Sequence, residues 1–271
     1  MPPARIVLYT ASIAAFSVLV RSLVIGPLPL WLAGAIMVAY VGMIAVGTLR
    51  SDLEMFGDAT VRGDPEARAV ALTFDDGPHP ESTRAILEIL ARDGDRATFF
   101  LVGERVDRHP DVVREIVAAG HTLGVHGYRH AWLHALWTPR AIAADIDRAR
   151  DAVERAAGVR PHLFRPPIGI VSPRTAAGAK RARAPIVLFS VRSGDGVATR
   201  VDAVVRRVNR RLRGGAIVLL HDAAERGDRH PASIGALPLI LDRIHTLGLA
   251  TVGVEAMVGE DPGAAPARLS P

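Results

Sequence analysis

The chain has 271 residues, 49% of them hydrophobic, which is enough for one domain of about 200 residues and an appendage. It contains no cysteine, so disulfides, a thiol nucleophile and a cysteine-based zinc site are excluded. The formal net charge is only +5, carried by arginine with Lys180 as the single lysine. With 5% aromatic residues and no nucleic-acid motif, this argues against a nucleic-acid partner.

Residues 6–49 are almost free of charge, and Arg21 is the interruption. The run 28–49 is apolar throughout and reaches the roughly 20 residues that cross a bilayer core, so it is read as a transmembrane helix. The run 6–20 is short for a span unless residues 22–25 join it and Arg21 snorkels. It then forms a hairpin turning at Gly26-Pro27; a cleaved signal peptide is the competing reading. Residues 1–50 are accordingly read as a membrane anchor of one or two helices. A hairpin sets Arg5 and Arg50 against Arg21 and favours the cytoplasm for the remainder, whereas a single crossing by 28–49 places it outside. The expectation adopted is a membrane-anchored, extracytoplasmic main domain.

Residues 51–68, with Gly57, Gly63 and Pro65, read as a linker, and the main domain spans 69–256. Strands are predicted at 70–74, 97–102, 122–125, 162–164, 186–190, 216–220 and 249–254. Helices are predicted at 81–92, 111–119, 140–157, 201–212 and 233–247. Pro110-Asp111 opens one helix, and Gly120 and Gly158 close two. Apolar strands alternating with helices imply a parallel sheet, open or closed into a barrel. The helix 201–212 is rich in arginine toward its end (Arg206, Arg207, Arg210, Arg211, then Arg213), which suits a helix carboxyl terminus and is compatible with an anionic lipid or polymer. Residues 257–271 read as a disordered tail.

The strand 70–74 runs straight into Asp75-Asp76-Gly77-Pro78. Two adjacent carboxylates at the end of a buried strand repel each other, and a cation or an arginine nearby stabilises the arrangement. The cation's further ligands are found in Val125-His126-Gly127-Tyr128-Arg129-His130, because two histidines four apart converge on one face if the segment is helical. With Asp76 they make three N/O ligands and leave room for water. That donor set suits zinc, with cobalt, nickel or iron as alternatives. Two more strand ends carry polar groups: Arg165 beside Pro166-Pro167, and His221-Asp222 after Val218-Leu219-Leu220.

TFDDGP, the His-x3-His after a strand, FRPP-x-G and LLHD, in that order over residues 69–254, resemble the polysaccharide deacetylase family, carbohydrate esterase family 4. The resemblance implies a distorted (β/α) barrel preceded by the N-terminal membrane anchor, and a metal-dependent hydrolase that removes N-acetyl groups from amino sugars. It makes Asp75 the general base, Asp76, His126 and His130 the ligands of one divalent metal ion, and His221 the general acid. Arg165 orients Asp75, Asp195 supports His221, and the backbone N–H of Ile168 meets the oxyanion. The implied partner is an N-acetylated glycan such as peptidoglycan, a chitin-like chain or an exopolysaccharide, and a monomer is expected.

Four positions depart from the family pattern. Gly127 stands where Ser or Thr is usual, Ile168 where Tyr is usual, and Arg192 and Gly196 where Asp and Trp are common. These changes predict an altered substrate pocket with the acid, base and metal residues intact. A lipid-linked amino sugar is the alternative substrate, and a non-catalytic glycan-binding membrane protein the alternative class.

Overall fold

The structure is a computed structural model that describes residues 1–50, 53–196, 200–223 and 231–257. Both amino-terminal runs are helical along their length. Helices α1 (Pro3–Ile25) and α2 (Leu30–Leu49) are about 34 Å and about 30 Å long at 1.5 Å per residue, so each is long enough to cross a bilayer core. They lie antiparallel, with Ser12 Oγ and Tyr40 Oη 2.8 Å apart and Arg5 reaching Asp58 at 2.7 Å. Leu23, Val24, Leu30 and Trp31 stand exposed, and an apolar surface of this extent calls for lipid or a partner.

The main domain follows the alternating order expected: β1 (Ala69–Asp75), α3 (Ser82–Ala91), β2 (Ala97–Leu101), α4 (Gly103–Arg108), α5 (Pro110–Ala118), β3 (Thr122–Val125), α6 (Pro139–Ala157), β4 (Leu163–Phe164), α7 (Pro173–Arg181), β5 (Val191–Arg192), α8 (Val201–Asn209), β6 (Ile217–His221), α9 (Ser233–Thr246) and β7 (Ala250–Thr251). The strands run in the order β4-β3-β2-β1-β6-β5, all parallel, with β7 on the first residues of β1. Residues 186–192 close the ring. Ile186 bridges Phe164, and the Ser190 N–H donates to Ile217 O at 3.0 Å before β5 joins β6. The result is a distorted (β/α) barrel of parallel strands.

β1 and β2 are buried on both faces, as a barrel enclosed by helices requires, and Phe74 stacks on Phe99 with ring centroids 5.1 Å apart. Their apolar runs are therefore continuous rather than alternating.

Three details differ from the sequence reading. The strand expected at 186–190 holds only single bridges, because Arg165 takes the Val187 and Leu188 carbonyls. Helix α4 is too short for a periodic signal, while α7 carried one: Ser172 caps the Thr175 N–H and Pro173 fills the first position. Residues 53–68 pack on the barrel, with Met55 and Ala59 buried and Thr60 paired to Val187. The tail predicted to be disordered lies outside the described residues except for Met257.

Candidate active site

Asp75, Asp76, His126, His130, Arg165, Asp195 and His221 all lie at or just beyond the carboxyl ends of strands, on one end of the barrel. Asp75 closes β1 and pairs in register with His221, which closes β6. His126 follows β3, Arg165 follows β4, and Asp195 follows β5. Parallel strands put all these ends on the same side, which is why residues up to 146 apart in number share one cavity of about 240 Å³.

Asp75 is held by a buried arginine. Arg165 is 0% exposed and donates from Nη1 to Asp75 Oδ1 at 2.7 Å and to Thr73 Oγ1 at 2.7 Å, from Nε to Val187 O at 3.1 Å and from Nη2 to Leu188 O at 2.8 Å. Its guanidinium lies 4.1 Å over the Phe100 ring. Burial pulls the Arg165 pKa below the ordinary arginine value, and the Asp75 charge opposes that pull. This arrangement fixes one oxygen of Asp75 and leaves Oδ2 toward the cavity side, 3.8 Å from His126 Nε2.

Asp76 sits beside it on a left-handed backbone, φ 76°, a conformation Asp tolerates better than most residues. Its Oδ1 lies 3.7 Å from His126 Nε2 and 3.3 Å from His130 Nε2, yet it is buried with no hydrogen-bond partner among the described residues. An orphaned buried carboxylate oxygen facing two imidazoles is the signature of a cation site. The ligand atoms of Asp76, His126 and His130 all lie within 4.8 Å of one another, so the residues fit a metal ion. His126 Nδ1 is 2.7 Å from Arg165 O, which fixes the tautomer that leaves Nε2 free to bind. Burial pushes the His126 pKa down to about 4, keeping the ring neutral as a ligand must be.

The two histidines do not converge through a helix. Residues 126–130 form an irregular loop with Gly127 at φ 79° and His130 at φ 45°. The hydroxyl missing at Gly127 has a substitute that the sequence reading did not find. Asp145 of α6 accepts from the Tyr128 N–H at 2.9 Å, and a Cβ on Gly127 would stand 2.8 Å from the same carboxylate oxygen. On α4, the Gly103 and Glu104 N–H groups donate to Gly127 O and Tyr128 O at 3.1 and 2.9 Å, and Arg105 braces the facing turn by donating to Asp76 O at 2.8 Å. Only the fold brings α4 and α6 to this loop, so no local pattern could have indicated these residues.

On the other side of the cavity, Asp195 Oδ1 lies 2.8 Å from His221 Nδ1, its Oδ2 accepts from the His221 N–H at 2.8 Å, and Ser193 Oγ donates to Oδ1 at 2.5 Å. Burial pulls the His221 pKa down, but the Asp195 hydrogen bond and charge, with Asp76 and Asp75 behind them, outweigh it and raise the pKa to about 9. The ring is an imidazolium at neutral pH.

Asp222, the last residue of LLHD, plays a packing part. It accepts from Thr83 Oγ1 at 2.6 Å, its N–H donates to Asp75 O at 3.1 Å, and a Cβ on Gly77 would collide with its carboxylate. Burial raises its pKa to about 7. The two motifs are therefore in direct contact here: glycine at 77 makes room for the aspartate at 222.

The departures shape the cavity wall. Ile168 is 41% exposed and holds φ 63°, a strained value for a β-branched residue. A Cβ on Gly196 would stand 3.2 Å from His221 Cε1, and Arg192 lies 5.0 Å over the Phe189 ring. Trp132, 57% exposed and two residues past His130, lines the same cavity and supplies an aromatic wall from another strand end.

The chain is similar to known proteins over most of its length. The family model described as polysaccharide deacetylase matches residues 62–187. A peptidoglycan-N-acetylglucosamine deacetylase of Bacillus cereus is 32% identical over 212 residues, which cover 78% of this chain and 97% of that protein. A solved peptidoglycan N-acetylglucosamine deacetylase aligns with a TM-score of 0.69 at 31% identity, over 73% of this chain and 92% of the other. A solved pseudoenzyme of the same family from Bacillus anthracis aligns with a TM-score of 0.68 at 25% identity, over 77% of this chain and 72% of the other. The chain belongs to the polysaccharide deacetylase family, carbohydrate esterase family 4.

Proposed function

We propose that the protein is a metal-dependent hydrolase that removes N-acetyl groups from N-acetylated amino sugars of a glycan, held at a membrane by α1 and α2. The observation that carries this reading is the separation of roles around one cavity: Asp75 locked by Arg165, the Asp76, His126 and His130 cluster, and the Asp195-supported imidazolium of His221. A divalent ion, zinc by its donor set, held by Asp76, His126 and His130 would polarise the acetamide carbonyl and acidify a water molecule.

Asp75, with Oδ1 tied to Arg165, accepts through Oδ2 a proton from the attacking water. The backbone N–H of Ile168 offers a donor to the oxyanion, and a backbone donor survives the exchange of Tyr for Ile. An amine leaves poorly unless protonated, so His221 gives its proton to the sugar nitrogen as the C–N bond breaks. The water oxygen ends in acetate and the sugar keeps a free amine.

The non-catalytic reading is disfavoured because the base, the acid and all three metal-binding side chains are in place. The test is acetate release from N-acetylated chitooligosaccharides and peptidoglycan by the full chain in detergent, with zinc added or chelated. Asp75→Asn is expected to lower turnover by about 10²- to 10⁴-fold with metal still bound. Turnover that survives both chelation and Asp75→Asn would overturn the assignment.

A further inference from the structure

A second cavity of about 620 Å³ lies between the end of α2 and the barrel, and it shares Gly169, Phe189 and Arg192 with the catalytic cavity. Its charged lining is entirely cationic: Arg50, Arg62, Arg192, Arg211 and Arg213, with no Asp or Glu among the lining residues. Arg62, Arg192, Arg211 and Arg213 are exposed, and none forms an ion pair with a carboxylate among the described residues. Other surface arginines do pair with carboxylates, Arg84 with Asp111 and Glu115, Arg160 with Asp151 and Glu154, and Arg206 with Asp202, and the five named here are gathered around one cavity lining. Converging guanidinium groups without a counter-charge repel one another, and the planar fork of arginine matches phosphate oxygens two at a time. Leu49, the last residue of α2, and Leu188 add apolar lining, so the site is cationic and partly greasy at the mouth of a bilayer-length helix.

We infer that this cavity receives the phosphate or diphosphate that links an N-acetylated amino sugar to a lipid, so that the acetamide enters the catalytic cavity while the lipid stays beside α2. The shared wall of Gly169, Phe189 and Arg192 is the path from one group to the other. The inference rests on the deacetylase reading and names its substrate class: a glycosyl phosphate, lipid-linked because the cavity opens at the end of α2 and not on a face remote from the anchor.

The test uses the full chain in liposomes with zinc and three acceptors: N-acetylglucosaminyl diphosphate of a long-chain isoprenoid alcohol, UDP-N-acetylglucosamine, and a neutral N-acetylated chitooligosaccharide. The lipid-linked acceptor is expected to have a kcat/KM at least tenfold above that of the neutral oligomer. The double variant Arg62→Ala/Arg213→Ala is expected to lose that advantage through KM, with neutral-oligomer turnover unchanged within twofold. A preference for UDP-N-acetylglucosamine over the lipid would keep the phosphate site and overturn the lipid source. Equal use of all three acceptors, unaffected by the double variant, would overturn the site itself. Calorimetric titration with inorganic pyrophosphate decides the cavity without turnover: binding lost in the double variant supports it, and no binding to the unsubstituted chain refutes it. Absence of acetate from every acceptor, with pyrophosphate still bound, would refute the deacetylase reading and leave the anion site standing.

Discussion

Arg165 and Asp75 show how much one buried pair can decide. Arg165 spends its donors on Asp75, Thr73 and two carbonyls of the closing segment, so it both orients the Asp75 carboxylate and ties β4 to residues 187–188. Arg165→Met is expected to strand Asp75 without its partner and cost about 3–5 kcal/mol, read by denaturant unfolding. Arg165→Lys is expected to recover little of this loss, since a point charge cannot serve four acceptors. His221 gives a pH signature. Its raised pKa keeps the acid form present up to about 9, so turnover is expected to fall as pH rises through that value. Asp195→Asn removes the partner that opposes burial, and the alkaline limb is expected to move to lower pH in a rate profile. The same shift makes the charged pair a source of stability that is full below about 6.5, the ordinary histidine value, and lost as pH rises through about 9.

At the scale of elements, the catalytic geometry depends on loops braced from a distance. The loop 126–130 carries the imidazoles of His126 and His130 with no regular structure of its own; Asp145 on α6 holds it through the Tyr128 N–H, while Arg105 on α4 holds the facing Asp76 carbonyl. Asp145→Ala is expected to weaken metal affinity about 10- to 100-fold in a zinc titration with little change in the barrel's circular dichroism. Gly77→Ala tests the packing between TFDDGP and LLHD. The added Cβ meets the Asp222 carboxylate, so the turn that presents Asp75 and Asp76 must shift, and a fall in both Tm and metal affinity is expected. The sequence reading singled out the residues that the fold gathers around the cavity, because they occupy strand ends with short, rigid motifs. It missed Asp145, Arg105 and Trp132 because each lies on an element whose own pattern is ordinary, and only the packing aims it at the site.

In the whole molecule, the two amino-terminal helices are tied to the segment that leads into the barrel. Arg5 at the start of α1 contacts Asp58 and Glu54 O just beyond α2, so both ends of the antiparallel pair meet at the barrel. Reporters fused at the two chain termini are accordingly expected on the same side of the membrane, checked by protease accessibility in vesicles. Opposite sides would mean that only one helix crosses, and loss of the amino-terminal reporter would mean cleavage. By itself the sequence determined the alternation of strands and helices, the two bilayer-length runs and the residues able to do acid, base and metal chemistry, since these follow from local periodicity and side-chain type. Only the tertiary structure decided how the ring closes through residues 186–192, which distant residues brace the metal loop, and that the arginines of separate segments converge beside α2. Those outcomes depend on contacts between segments far apart in the chain, and periodicity, which reads only neighbours, carries no trace of them.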